Sequence, residues 1–582
     1  MNDKLKDMLT RVRKPGRYIG CETNSVRKEH GPGMTSVLLS YPDTYEVGMS
    51  YLGLKVLYHL VNDMASAVCE RMFAPWPDME EELKAGGMRL FSLETKRPAN
   101  EFDIVGFSLS YELTYTNVLN ILHLGGINIL SSDRGEDEPI VIAGGACCSN
   151  PEPMSLFLDA MVIGDGEEAL PELIRAYAEA KKTGKKRRDV LKDLSKIKGV
   201  YVPRFYEETY AGSEYKGVRP VESGVPREVE RSFVESMENA YYPVRQLVPL
   251  VQTVHDRMAV EIMRGCPNSC RFCQASTINR PVRLRSPKKI VDICRKTYAN
   301  TGYERIALLS LSSVNYPRLA ELVEMLAEEF KGKGVGLSIP SLRIDKAFYA
   351  IPEMIAAVRK AGLTFAVESP DPEIRRALAK EIDPTVLCRS AQEAFRHGWQ
   401  KIKLYFMVGF PGSGTDEARK ILELARTLSG LKKDISSSSA EVKVSVNAFV
   451  PKAHTAMQWL GMKNEESLGE SRRELMRGNT RKIKVEFSGI RQSILEAAMA
   501  RGNRKTSRVI HAAWKNGAKM DGWTEFFNAG IWDEAFRSEG LDMRGCAEKR
   551  FRTDDILPWD HIDIGVKKEW LVKEFKETGF NM

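Results

Sequence analysis

The chain has 582 residues, 43% of them hydrophobic and 28% charged, with a formal charge of +8. That length exceeds what one hydrophobic core sustains and excludes a small staple-dependent fold, so about three packed units are expected. Charges occupy the opening MNDKLKDMLTRVRKPGRYIG where a secretory signal is apolar, no stretch nears the ~20 apolar residues of a membrane span, and ten cysteines are too sparse for a disulfide scaffold, so a reducing cytoplasm is the expected compartment.

Residues 1–35 read as a leader. From 36 to 182 short apolar runs alternate with helical segments: SVLLSY, DIVGFSL, PIVIAGG and AMVIGDG each end near Gly, Ser or a turn residue, as buried parallel strands do. Leu52, Val56, Leu57, Leu60, Val61 and Met64 recur at helical spacing among them. This is the outline of a doubly wound α/β domain, whose ligands sit at the carboxyl ends of its strands. Residues 183–249, dense in Lys, Tyr, Pro and Val, read as a connector, and KKTGKKRR (181–188) as a surface loop.

A second alternation fills residues 250–484. MAVEIMR, RIALLSL, VGLSI, LTFAV, KIKLYFMVGF and EVKVSVNAFV are strands between helix-patterned stretches, and six βα repeats predict an open, partial (β/α)6 barrel. One helix has a clear start, because Ser286 can cap and Pro287 suits the first turn, with Ile290, Ile293, Cys294, Thr297 and Tyr298 following on one face. After about Arg481 the strands are expected to stop. Residues 485–582, with Trp514, Trp523, Phe526, Phe527 and Trp532, read as a small, mostly helical module. Between Arg472 and Arg508 eleven lysines and arginines stand against three acids, although a solvated helical face is the commoner cause of such a run.

Three of the cysteines fall within eight positions, in MRGCPNSCRFCQAS, directly after the first barrel strand. That puts Cys266, Cys270 and Cys273 on a loop at a strand's carboxyl end, where βα enzymes carry their chemistry. Three thiolates in CxxxCxxC spacing hold three irons of a cubane, leaving a fourth iron for another ligand. A zinc site is the alternative, but zinc wants four protein ligands, and His255, eleven positions upstream, is an unconvincing fourth.

Here the sequence resembles the radical S-adenosylmethionine superfamily, from about Val251 to Lys484. The resemblance implies a [4Fe–4S] cluster on the three cysteines, S-adenosyl-L-methionine chelated to the open iron, and reductive cleavage to methionine and a 5′-deoxyadenosyl radical. Phe272 matches the aromatic the family usually has between the second and third cysteines. After the second strand Ser310, Ser312 and Ser313 replace a Gly-Gly-Glu-like stretch that often meets the methionyl amine. Glu368 and Ser369 look like the polar pair that meets ribose or the amino acid. Val408, Gly409 and Pro411 to Gly414, including Gly412, look like the backbone beside adenine, with a plain strand-to-helix turn as the rival reading.

The N-terminal domain resembles the cobalamin-binding domains that precede many such cores, in YPDTYEVGMSYLGLKVLYHL, FDIVGFSLS, VIAGG and VIGDGEEALPELI. Where the Asp-x-His-x-x-Gly segment of histidine-ligating cobalamin proteins would lie, this chain has Asp43, Tyr45 and Gly48, without the histidine. Either cobalamin binds with no protein histidine on cobalt, or the domain keeps only the fold. Gly144 and Gly145, then Gly164 to Gly166, put close-approach glycines after successive strands. Cys147 and Cys148 are adjacent, which suits one metal poorly, and read as buried thiols.

At the end of the sixth strand Asn447, Lys452, His454 and Gln458 are candidates for the barrel mouth, in a segment that resembles the Phe-x-Pro-Lys-x-His-Thr of one subfamily. That subfamily also has a terminal Leu-Pro-Trp-Asp-His-Ile-Asp, here Leu557 to Asp563. His454 is either an acid–base group or a hydrogen-bonded structural histidine. Trp559, Asp560 and His561 either dock the helical module or close the pocket.

Three functions follow. The first is a radical enzyme, transferring methyl groups if cobalamin binds, with a flavodoxin- or ferredoxin-type reductant as partner and no membrane partner. The second is cobalamin-independent modification of RNA or a ribosomal component, prompted by the basic run. The third is a non-catalytic iron–sulfur sensor or assembly partner.

Overall fold

Near-continuous apolar runs form the first sheet because parallel strands are covered on both faces. The computed structural model describes residues 3–31, 33–212, 214–338, 363–414 and 416–580. In it β1 (Thr35–Tyr41), β2 (Ala67–Phe73), β3 (Ile104–Ser108), β4 (Ile140–Gly144), β5 (Ala160–Val162) and β6 (Val200–Tyr201) make one sheet in the order β2-β1-β3-β4-β5-β6. The first five are parallel and β6 runs antiparallel to β5. Every residue of β2 is buried. Because β2 and β3 lie on opposite sides of β1, the order reverses there and a crevice opens at the carboxyl ends. The helix Leu52–Asp63 returns the chain from β1 to β2 and packs on Gly166–Lys182.

Two boundaries move. The expected leader forms a helix, Asp3–Arg11, that buries Leu5, Met8 and Leu9 against this domain. The sheet also extends past residue 182, since β6 belongs to it, and the expected connector holds the hairpin of β7 (Tyr206–Ala211) and β8 (Glu214–Pro220). Within the same stretch β9 (Val229–Glu230) is a strand as well.

All six expected barrel strands are present. β10 (Met258–Glu261), followed by the short antiparallel pair β11 (Met263–Arg264) and β12 (Arg283–Leu284), lies in parallel with β13 (Arg305–Leu309) and then β14 (Gly336–Ser338). The run VGLSI continues to Ile339, which lies outside the described residues. A second parallel sheet holds β15 (Leu363–Glu368), β16 (Lys401–Val408), β17 (Glu441–Ala448) and β18 (Ile483–Phe487) in that order. Ser286 caps the helix Pro287–Thr301 through Lys289 N–H at 3.2 Å, with Pro287 in its first turn and Gly302 left-handed at its end.

β18 corrects the expectation that strands stop near Arg481. Ile483 and Val485 are buried while Lys484 and Glu486 are exposed, the two-residue period of a half-buried strand, here only five residues long and set within a basic run. Beyond it the module is helical apart from β19 (Ile562–Asp563), which pairs with β9. It docks on the N-terminal domain: Thr116 Oγ1 donates to Asp521 at 2.6 Å, and Asn117 Oδ1 accepts from Met520 N–H at 2.7 Å. Among the described residues no helix is long and apolar enough to cross a membrane.

Candidate functional site

The loop after β11 turns on Gly265, whose φ of +83° and approach to the Asn279 and Pro281 carbonyls leave no room for a side chain. Cys266 follows, buried, with Cys270 and Cys273 partly exposed. Two sulfurs accept N–H donors: Cys266 Sγ from Asn268 Nδ2 and Cys273 Sγ from Ser276 N, both at 3.4 Å. Cys273 N–H bonds Cys270 O at 3.1 Å and ties the loop together. Burial pushes the Cys273 thiol up, and the Ser276 N–H and Lys380 work against it. Among the described residues no three His, Cys, Asp or Glu side chains converge on one metal-sized point. A cubane does not ask for that, since each thiolate binds a different iron. Three thiols on one loop, with N–H donors aimed at sulfur, are a donor set that fits such a cluster.

Family-pattern residues gather around this loop. Glu368, left-handed at φ +67° beside a bulge in β15, pairs with Lys380, which lies 5.9 Å from the Phe272 ring centroid. A non-glycine residue held there is backbone strain of the kind found at functional sites. Ser312 Oγ donates to Asn315 Oδ1 at 2.6 Å, which also accepts from Asn268 Nδ2 at 3.0 Å, and Ser310 Oγ lies 3.0 Å from Ser313 Oγ. Ser369 is buried, its hydroxyl accepting from Asp371 N–H at 3.2 Å.

Beside the loop a cavity of about 790 Å³ opens between the two domains. Its floor is the carboxyl edge of β3, β4 and β5, and its roof includes Glu261, Arg264, Gly265 and Ser310. That volume lies in the upper part of the ~300–1,000 Å³ range of cofactor pockets. Gly144, Gly145 and Gly164 line it as expected, for different reasons. A Cβ on Gly145 would meet Leu109 O at 2.5 Å and one on Gly164 would meet Ser232 O at 2.0 Å, so those two serve the protein's own backbone. A Cβ on Gly144 meets nothing closer than 3.6 Å, a cradle that fits a flat ligand.

Four expectations change. Asp43, Tyr45 and Gly48 are not among the residues lining the cavity. Asp43 accepts from Trp523 Nε1 at 3.0 Å, Tyr45 donates to Glu22 at 3.0 Å, and Gly48 packs under the Phe73 ring. Gly409 faces Lys463 and Leu468 of its own chain, which matches the strand-to-helix turn, and Gly412 stands in open space. Lys452 does not line the cavity: it is half-buried and held between Glu112 at 2.7 Å and Glu496 at 2.8 Å, whereas Asn447 is exposed. His454 is structural. Its Nε2 lies 2.9 Å from Ser149 O, its N–H donates to Gln458 Oε1 at 2.9 Å, and burial pulls its imidazole down to about 4. Gln458 also accepts from Trp559 Nε1 at 2.7 Å, so the terminal run docks the module.

Sequence reasoning missed Arg264. Its guanidinium meets Asp165 at 3.0 Å, Glu167 at 2.6 Å and Glu261 at 2.8 Å, tying the cysteine loop to the end of β5. Burial works to raise the Asp165 carboxyl, but Arg264 and Arg283 outweigh it and hold it below the usual range. Arg264 stands two residues before Cys266, and that adjacency was its one available signal. His255 also lines the cavity, its N–H donating to Ser50 Oγ at 3.1 Å.

Comparison with known proteins gives two family matches: "Radical SAM proteins, N-terminal" over residues 53–203, and "Radical SAM superfamily" over residues 260–425. The chain is 23% identical over 482 residues to the uncharacterized protein MJ0966 of Methanocaldococcus jannaschii, covering 82% of this chain and 90% of that one. It is 28% identical over 214 residues to the anaerobic magnesium-protoporphyrin IX monomethyl ester cyclase of Cereibacter sphaeroides, covering 36% of this chain and 30% of that one. Among solved structures, the radical S-adenosylmethionine methyltransferase TsrM of Kitasatospora setae, with cobalamin and a [4Fe–4S] cluster bound, shares the fold at a TM-score of 0.50 and 12% identity. That match covers 87% of this chain and all of that one.

Proposed function

Because this chain belongs to the radical S-adenosylmethionine superfamily, we propose that Cys266, Cys270 and Cys273 hold a [4Fe–4S] cluster and that the enzyme cleaves S-adenosyl-L-methionine reductively. The observation that carries this is the three-thiol loop at the carboxyl end of β10, with N–H donors on the Cys266 and Cys273 sulfurs. When bound, the cluster supplies one electron, which splits the sulfonium into methionine and a 5′-deoxyadenosyl radical. The chain's own residues hold and orient. Asn268, Asn315 and Ser312 brace the loop from the β13 side, and the Glu368–Lys380 pair stands over Phe272 as a polar contact for the adenosyl moiety.

The finer reading is methyl transfer, with a corrinoid in the cavity beside the loop. A corrinoid supplies methyl-transfer chemistry, and the protein supplies geometry. Gly144 leaves room for a macrocycle, and Arg264 fixes the cysteine loop over that cavity through Asp165 and Glu167. TsrM, which binds both groups by its description, supports this reading as a fold relative. A flavodoxin- or ferredoxin-type protein is the proposed reductant.

Anaerobic reconstitution with an iron, sulfide and corrinoid inventory tests both claims in one preparation. Release of 5′-deoxyadenosine under a strong reductant is expected, and Cys270→Ala should abolish it. Release that survives the substitution would overturn the cluster assignment. Label from a methyl donor that never reaches product would overturn methyl transfer alone.

A further inference from the structure

The amino-terminal half of one face of the second sheet lies outside the site described so far, while Glu368 stands at the carboxyl end of that face. Along β16 and β17 buried and more exposed residues alternate. Ile402, Leu404 and Phe406, with Val442, Val444 and Val446, join the core under the helices. The alternate residues point away from those helices, into the barrel. Register places Lys403 of β16 beside Lys443 of β17, and Lys443 beside Lys484 of β18. Three ammonium-bearing side chains thus stand in one row on strands about 4.8 Å apart. Like charges set opposite each other across strands destabilise a sheet, so the row is costly unless an anion sits on it.

The protein's own acids neutralise it in part. Lys443 pairs with Glu486 at 2.6 Å, and Lys401, one pleat toward the amino end, pairs with Glu441 at 3.1 Å. Lys403 has a neutral partner, donating to the Tyr405 hydroxyl at 2.6 Å. Lys484 is exposed, as are Arg477, which ends the helix Glu465–Arg477, and Arg481 and Lys482 in the turn between that helix and β18, at the same amino-terminal end of the sheet. The positive track therefore runs from outside the barrel to its inner face, longer than a small anion needs. Guanidinium forks at its entrance suit phosphate.

We propose that this track binds the phosphodiester backbone of a single-stranded nucleic acid, entering by Arg477, Arg481 and Lys482 and crossing Lys484, Lys443 and Lys403. Lys403 stands five residues, roughly 16 Å, from the carboxyl end of β16. A strand anchored on the row is held at the amino-terminal end of the sheet, away from the carboxyl ends where the cysteine loop lies, so the row is a holding surface and not the reacting one. Charged grooves with aromatic neighbours are the usual means of holding single strands, and Tyr405 is the aromatic here. The assignment rests on the radical-enzyme reading only for what is done to the strand; binding itself needs neither cluster nor S-adenosylmethionine.

The test is fluorescence anisotropy with the full chain, purified anaerobically, and a fluorescein-labelled single-stranded 15-mer of RNA or of DNA. Lys403→Gln, Lys443→Gln and Lys484→Gln together should weaken binding at least tenfold. They should also reduce the slope of log K against log salt by about 2, at ~0.7 per phosphate for single strands. Lys182→Gln with Lys186→Gln, on the N-terminal domain, should change neither. Equal affinity for the two probes marks phosphate recognition alone, and preference for RNA adds 2′-hydroxyl contact; both support the track. Should the triple variant fold poorly by its thermal midpoint, Lys484→Glu and Arg481→Glu, both exposed, carry the same expectation singly. Cys270→Ala should bind RNA like the parent chain, which separates failure here from failure of the cluster assignment. Absence of saturable binding, indifference to the row variants, or stronger competition by poly-glutamate than by unlabelled RNA overturns the proposal, the last in favour of an acidic protein partner.

Discussion

The imidazole Nε2 of His454 lies 2.9 Å from the carbonyl oxygen of Ser149, 305 residues earlier in the chain. Ser149 lines the interdomain cavity, and its hydroxyl accepts from Gln274 Nε2 at 3.1 Å, the residue after Cys273. Gln274 also donates to Ala453 O at 3.2 Å. The N-terminal domain, the cysteine loop and the segment after β17 therefore meet in one hydrogen-bonded knot at the edge of the cavity.

That knot makes stability depend on pH. Burial pulls His454 from 6.5 to about 4. Between those values the unfolded chain takes up a proton that the folded chain refuses. The contribution is complete above pH ~6.5 and is lost as pH falls toward 4, by on the order of 3 kcal/mol. His454→Asn, which tolerates the left-handed φ of +59°, should flatten this part of the profile. His59, also pulled down to about 4 by burial, titrates in both proteins, so the difference between them reports His454. Thermal midpoints at pH 5 and 7.5 decide it, and equal drops in the two proteins would contradict the assignment.

Asn268→Leu removes the N–H donor from the Cys266 sulfur. Such bonds favour the more anionic, reduced cluster. At about 1 kcal/mol per bond the potential should fall by roughly 50 mV for one electron, with iron content unchanged. Redox titration followed by EPR reads the shift, and an unmoved midpoint would remove Asn268 from the list of tuning groups.

Gly144→Leu fills a glycine cradle that faces the cavity without strain. Corrinoid uptake, measured by absorbance after anaerobic loading and desalting, should drop at least tenfold. Cluster content and thermal midpoint should stay near those of the parent. Undiminished uptake would mean that any corrinoid sits elsewhere.

Lys452, half-buried, bridges Glu112 and Glu496. Lys452→Met leaves the buried Glu112 carboxylate and the half-buried Glu496 without their cation and should cost about 2 kcal/mol. Adding Glu112→Gln and Glu496→Gln should recover most of that loss. Denaturant unfolding of the three proteins checks it, and a mild single variant would argue that water reaches the site.

Local chemistry was the legible part. The CxxxCxxC spacing is a property of one loop, and Ser286 with Pro287 marks a helix start within four residues. Glu368 was legible as a motif residue, but its partner Lys380 was not, because twelve residues and a helix separate them. β18 was missed although Ile483, Val485 and Phe487 alternate with Lys484 and Glu486, because five residues inside a basic run read more readily as part of a solvated helical face; a strand at the edge of a sheet tolerates such charges. The cavity was out of reach, since its walls come from β3, β4, β5 and β10 and no window of sequence contains them together.

The sequence by itself determined which atoms are offered: three thiols at fixed spacing, glycines after buried strands, and lysines on the open face of β16 and β17. Only the tertiary structure decided what each atom meets. It turned His454 into a joint to Ser149, closed Lys452 between two carboxylates, and set Lys403, Lys443 and Lys484 side by side. The physical reason is that alternation and capping act over a few residues and set the direction of a side chain. Its partner is chosen by strand register and domain packing, whose energies join positions that can be hundreds of residues apart.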